Sequence, residues 1–299
     1  MFRKVLGLSS PLDDTHKPIR YRTVTLIIIG VAVLLLFFCV KAGLTLWAAG
    51  IFLALYFSIS IAITRMRAEL GTPVHDLWYA GATGPDTIMV NIFGTKRLGP
   101  ANLTTMGLFY GFNRDYRNHP QPHQLEGFKM AELIVVKSKS IFIATIFAIV
   151  VGSFGSFLPY LIMTYRMPEA HGLHVGREAF TRLQWWFNSS AGTDYPGVGF
   201  MGMGFAWTTI FMFLRTRFLG WSLHPLGYAL SGSWSMNLIW FSLFLSWLIK
   251  WIVLKHGGLK AYREDIPFFL GLILGEFVMG SVWMIIGVLG NSQTYAFWI

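Results

Sequence analysis

Six runs of almost unbroken apolar residues dominate this chain, over 23–40, 44–63, 140–165, 197–214, 236–254 and 266–289. Each approaches the ~20 residues that a helix needs to cross a hydrocarbon core. Runs of that length leave little choice of fold, since other spanning backbones would strand their N–H and C=O groups in lipid. The predicted class is all-α: a polytopic transmembrane helical bundle of about six spans plus one or two broken or re-entrant elements. Only 13% of the 299 residues are charged, where a soluble domain carries about 25%.

The net charge of +10 does not point to nucleic acid, because the Lys and Arg residues gather between the apolar runs, as topology signals do. Arg3, Lys4, Lys17, Arg20 and Arg22 precede the first run, and Arg65 and Arg67 follow the second. The first two spans therefore read as a hairpin with a very short external turn at 41–43. Its basic ends, and the N-terminus, lie on the cytoplasmic side of the cell's inner (plasma) membrane. The first run is read as a true span, since Lys41-Ala42-Gly43 and then another long apolar run follow it. Cys39, the lone cysteine, sits inside that run and is expected to be a packing residue.

The resulting organisation is a cytoplasmic segment 1–22, a membrane domain 23–290 and a tail 291–299. Inside the domain, the connector 65–139 holds nine basic and six acidic residues and is punctuated by Gly and Pro. It must lie in water or be buried among helices as re-entrant structure. The segment 166–196 is external, and its stretch 177–188, with Trp185 and Trp186, is expected to lie as a helix at the interface. The segment 220–234, broken by Pro225, Gly227 and Gly232, is ambiguous. Length argues for a re-entrant hairpin. Keeping Arg215 and Arg217 on the same side as the basic group 255–263 argues for a crossing, and is given the edge.

Short, Gly/Pro-interrupted segments are the best sequence pointer to a transporter's binding site. Two qualify, 94–112 and 220–234, where freed helix-end groups could hold a ligand. Among side chains, Glu276 is the one acid inside an apolar run, and a carboxylate there invites a proton-handling role or a pairing with Lys250. His224 precedes Pro225 in the broken segment and titrates in the useful range. Arg65 and Glu69, four apart, pair on one helix face, and His75 and Asp76 follow a Gly/Pro break. These seven residues form the candidate substrate or proton pathway. Metal binding is not expected, since neither His75 and Asp76 nor His119 and His123 have converging ligands at helical spacing. Nucleotide-loop, HExxH, GxSxG and haem-histidine patterns are absent from the sequence, so no cofactor and no enzymatic activity are expected.

Four strings carry a family resemblance: RMRAELGTPVHD at 65–76, HQLEGFK at 123–129, HPLGYA at 224–229 and KAYREDIPFFLGLILG at 260–275. They resemble the C-terminal half of a bacterial family of polytopic membrane proteins often labelled oligopeptide-transporter-like. That resemblance implies transport of a peptide or similar small solute. It also implies a partner that supplies an N-terminal half, or recruitment into a larger membrane assembly. The competing expectation is a non-catalytic scaffold or accessory subunit of such an assembly.

Overall fold

The computed structural model describes residues 19–71, 84–114, 116, 119–166, 174–218, 220–290, 292 and 294. Among these there are helices and no strands: α1 (Tyr21–Ala42), α2 (Leu46–Leu70), α3 (Pro85–Leu108), α4 (Tyr110–Asn113), α5 (Pro120–Leu133), α6 (Ser138–Arg166), α7 (His174–Asn188), α8 (Tyr195–Arg217), α9 (Pro225–Leu230) and α10 (Trp234–Gly290). Pro85, Pro120 and Pro225 each open a helix, the one place where a missing N–H and a fixed φ cost nothing. Five helices, α1, α2, α6, α8 and α10, are long and apolar enough to cross a membrane, the make-up of a multi-pass membrane protein.

The chain divides into two units, 1–237 and 238–299. In the second unit, α10 changes direction at Gly258, whose φ of 67° and ψ of −166° interrupt the helix. The Lys250 ammonium lies 5.2 Å from the centroid of the Tyr262 ring. Twelve residues of straight helix would separate them by about 18 Å, so arms 234–257 and 259–290 form a hairpin. The two last apolar runs are thus its two arms. The basic group 255–263 is helical on both sides of the break at Gly258.

The first unit is built around α3. It is not one rod: Gly94 (φ 74°, ψ 156°) and Gly99 (φ 75°, ψ 165°) are non-helical and leave half-helices 85–93 and 100–108. The two halves fold back on each other. A Cβ placed on Gly84, before the first half, would lie 3.5 Å from the carbonyl oxygen of Asn113, after the second. At the other extreme, Phe93 meets Trp47 edge-on (5.2 Å between centroids), and Asn102 bonds Thr45. The segment 84–113 is therefore a re-entrant helical hairpin whose tip, 94–99, sits at the α1–α2 turn.

The sequence reading of 94–112 as a broken element holds, with the element reaching back to Gly84. Of the two readings of the connector 65–139, burial among helices is the one realised over 84–113. Met89, Val90, Leu98, Leu103 and Met106 pack with Leu44, Ala48, Ala49 and Phe52 of the first hairpin and with Cys39, Leu183 and Trp186. Cys39 is thus the packing residue expected of it.

Apolar contact gains little over lipid tails, so interior polar contacts matter most for fixing such an element. Two loops staple the tip. Residues 189–194 reach across it: the Ala191 N–H donates to Thr95 Oγ1 (2.9 Å), Thr95 Oγ1 to the Ser189 carbonyl (3.2 Å) and the Lys96 N–H to the Ala191 carbonyl (3.3 Å). The Asp194 N–H and Thr193 hydroxyl satisfy the freed carbonyls of Asn91 and Ile92, both at 2.9 Å. From the other side the Thr45 N–H donates to Asn102 Oδ1 (2.8 Å), and Thr105 Oγ1 donates to the Ala42 carbonyl (3.0 Å). The turn at 41–43 is followed by a Leu44 only 2% exposed and is docked on α3. The freed groups of the break, expected to be open to a ligand, are held by the chain itself.

The helix expected over 177–188 exists as α7; Trp186 and Leu183 are buried against α3, and Phe180, Trp185 and Phe187 are exposed. The segment 220–233 does not traverse the unit. Arg215 at the end of α8 and Leu230 of α9 both meet the last turns of α2, through Glu69 and through Ile63 and Met66. Met236, opening α10, packs on that same cluster. The length argument prevails over the charge argument there: one six-residue helix of about 9 Å cannot cross.

Candidate functional site

At the base of the re-entrant hairpin lies a buried ion pair that spacing could not announce. Asp86, second residue of α3, is 0% exposed, and its Oδ2 lies 3.1 Å from Nη2 of Arg182 on α7. The same Nη2 donates to Thr87 Oγ1, so the pair is electrostatic, and neither carboxylate oxygen receives a well-aligned side-chain hydrogen bond. The guanidinium lies against two rings, 5.0 Å from the centroid of Tyr110 and 4.7 Å from that of Trp186. Both contacts are of the cation–π kind, which favours Arg in a dry setting. Beside it, Arg114 Nε donates to Glu178 Oε2 at 2.9 Å, tying α4's end to α7.

Two more buried polar side chains complete the base. Asn113 is 0% exposed and its amide has no hydrogen-bond partner; Tyr116 is 2% exposed and its hydroxyl has none either. Tyr116 also holds φ 62°, a left-handed value that a tyrosine adopts only at a cost. Its ring stacks on Tyr56 of α2, 5.3 Å between centroids. Phe109 and Phe112 of the same stretch meet Phe52 and Tyr56, which places the ion pair level with the middle of α2. Burial pushes the Asp86 carboxyl above its ordinary value, with Arg182 and then the backbone N–H groups of Thr87 and Asp86 opposing. Burial likewise raises the Tyr116 phenol, with Tyr56 and the Asp86 charge adding to it.

The candidates taken from the sequence fall into three groups. Arg65, Glu69 and His224 converge, joined by Arg215: Arg65 Nε donates to Glu69 Oε1 at 2.7 Å, and Arg215 Nη1 and His224 Nε2 lie 3.9 and 3.8 Å from Glu69 Oε2. His224 Nδ1 accepts the Leu226 N–H at 3.2 Å and caps α9, and its Nε2 faces both Arg215 and Glu69. Burial, then the Arg215 charge, lower the His224 pKa, and Glu69 opposes. Glu276 and Lys250 line one groove of about 450 Å³ between the arms of α10, with Tyr262 and Asp265. No ion pair joins them, and Lys250 lies on the Tyr262 ring instead. His75 and Asp76 lie outside the described residues. Among the described residues no group of three or more His, Cys, Asp or Glu could hold a metal ion.

Sequence reasoning missed Asp86, Arg182, Asn113 and Tyr116. Asp86 counted only as one of the acids of a polar connector, and Arg182 as one base of an external segment. The Gly84-Pro85-Asp86 start of a helix was the usable signal, since an acid in the first turn faces the positive end of the helix. The 96-residue separation from its partner carried none. A hollow of about 940 Å³ between α2 and α5 lies away from this chemistry. It is an open trough with Arg67 and Glu126 in its wall, their Nε–Oε1 distance 2.6 Å.

The profile of one sequence family matches residues 1–299. The chain belongs to DUF6785, a family of unknown function. Neither curated proteins nor solved structures give a match. Within DUF6785 the function has to be argued from the site.

Proposed function

We propose that this chain is a secondary-transporter-like integral membrane protein that moves a small solute, a peptide or similar molecule, with proton coupling. One observation carries the reading: a broken, re-entrant hairpin with a buried Asp86–Arg182 pair at its base, level with the middle of a helix long enough to span. Irregular backbone at membrane depth is tolerated only where protein or a water-filled path surrounds it, and transporters place their sites there. Intramembrane charges are costly and are kept where they serve a pathway. The proton carrier in this reading is Asp86 rather than Glu276, because Asp86 is enclosed and Glu276 is exposed on its hairpin. The expected setting is the inner membrane with the N-terminus in the cytoplasm, from the basic flanks of α1 and α2. The oligopeptide-transporter-like resemblance agrees with this class of function.

Uptake of labelled peptides into proteoliposomes, with and without an inward proton gradient, tests the proposal. Gradient-driven uptake that Arg182→Gln abolishes is the expected result. Gradient-independent background uptake, equal in the variant, would end it.

A second reading has its own support. In α6, α8 and α10 none of the apolar window is buried inside the chain. That surplus surface fits an accessory subunit packed against partners in a larger assembly, including one that supplies an N-terminal half. Purification in mild detergent separates the two: a stable stoichiometric complex, with no uptake by the isolated chain, favours the subunit.

A further inference from the structure

We propose that Arg182 is the seat of a small-carboxylate site that becomes available when Asp86 takes up a proton, so that anion and proton bind together. The inference deepens the transport reading, since it names the substrate class of that same site.

Several groups suited to an anion lie at the base of the hairpin. Arg182 presents a guanidinium against Tyr110 and Trp186, and that fork matches a carboxylate's geometry. Asn113 Nδ2 and the Tyr116 hydroxyl are fully buried donors without an acceptor. Buried polar atoms left unmatched in a native fold call for a missing partner, a water or an ion. The half-helix 85–93 adds its N-terminal end, where anions are favoured. In the structure the Arg182 guanidinium is taken by the Asp86 carboxylate, which receives no well-aligned side-chain hydrogen bond. Arg182 keeps 17% of its side chain exposed, enough for access from outside the core.

Charge balance sets the order of events. Asp86 and Arg182 together are neutral. Adding an anion alone would leave a net negative charge in a dry site, which is heavily penalised. Adding an anion and a proton leaves the site neutral again: the proton bonds an Asp86 oxygen, and the arriving carboxylate takes over Arg182. The protonated acid then becomes a donor toward the anion.

Among the described residues, the charged and titratable groups around Asp86 come from three elements. Arg182 comes from α7; Tyr110 on α4 and Tyr116 beyond it supply phenols; Arg114 and Glu178 neutralise each other at 2.9 Å. Burial favours the protonated acid, and Arg182 opposes it. By linkage, the anion must raise proton affinity by the factor by which the proton raises anion affinity.

The test uses the full chain in detergent, with sodium acetate as probe and sodium chloride and choline acetate as controls. Calorimetry in two buffers of different ionisation heat counts the protons taken up. Acetate should bind with about one proton per anion, its affinity rising about tenfold for each unit of pH lost above the Asp86 pKa. Asp86→Asn should bind acetate with no proton uptake and no pH dependence. Arg182→Gln should not bind it, and Tyr116→Phe, which removes only a hydroxyl, should bind it several-fold more weakly. Melting curves of each variant identify any that fail to fold, and Tyr116→Phe keeps the test open if Arg182→Gln is one of them. Acetate binding without proton uptake overturns the proposal, as does binding unchanged in both Arg182→Gln and Tyr116→Phe. A heat that follows sodium or chloride rather than acetate overturns it too. Proton-linked binding without uptake in proteoliposomes overturns the transport reading and leaves the site; uptake indifferent to acetate does the reverse.

Discussion

Two helical hairpins in this chain each carry one carboxylate, and they treat it in opposite ways. The re-entrant hairpin 84–113 encloses Asp86 completely and sets it against Arg182 from a distant helix. The terminal hairpin of α10 leaves Glu276 exposed in a groove, with Lys250 nearby but unpaired to it. The first hairpin is made of polar, broken, unpromising sequence; the second is two clean apolar runs. Hydropathy therefore singles out Glu276 and passes over the enclosed acid. An acid stands out in an apolar run because its neighbours are greasy, whereas burial by a folded-back, polar segment depends on partners far along the chain.

The difference can be broken first at the turns. Gly94→Ala adds a Cβ only 2.5 Å from the Gly192 carbonyl carbon. It also places alanine in a glycine-only region, so strain and overpacking together should cost about 4 kcal/mol. Gly258→Ala meets open space at its φ of 67° and should cost the strain alone, about 1–3 kcal/mol. Unfolding by SDS in mixed micelles reads both; equal losses would mean that the 189–194 loop does not hold the tip.

Next comes charge. Arg182→Gln leaves a buried carboxylate without its counter-charge and should cost about 3 kcal/mol near neutral pH. That loss should shrink as the medium is acidified. The folded chain holds the Asp86 proton more tightly than the unfolded chain does, so between the ordinary aspartate value and the raised one the folded state binds more protons. Stability from this group is then present at low pH and lost as pH rises through the raised value. Melting temperatures across the acidic range check the sign, and a loss that grows on acidification would show that Asp86 is not the group left behind.

A smaller effect is expected at Asn102→Ala, about 1–2 kcal/mol, because the Thr45 N–H and the Leu98 carbonyl both lose their partner. Smallest of all, Glu276→Gln should change stability by less than about 0.5 kcal/mol, as surface substitutions do. A large loss there would mean that the groove is filled in the working protein.

Most of the scaffold was legible in the sequence. Residues 140–165 became Ser138–Arg166, and 197–214 became Tyr195–Arg217, because uniform hydropathy and flanking Arg or Lys specify a spanning helix locally. Pairing of Arg65 with Glu69 was also local, one turn of helix apart. That His224 would join them was not, since it arrives from the far end of α8. The base of the site was hidden for the same reason. Asp86 meets Arg182, Asn91 meets Asp194, and Thr45 meets Asn102 across separations that no periodicity records.

The contrast between the two hairpins reduces to one measurement, a pair of double-mutant cycles read by SDS unfolding of the full chain. One cycle combines Asp86→Asn with Arg182→Gln, the other Glu276→Gln with Lys250→Gln. Coupling of at least about 1.5 kcal/mol is expected for the first pair and none beyond about 0.3 kcal/mol for the second. Coupling absent between Asp86 and Arg182, or larger between Glu276 and Lys250, would contradict the assignment of the re-entrant hairpin as the working centre.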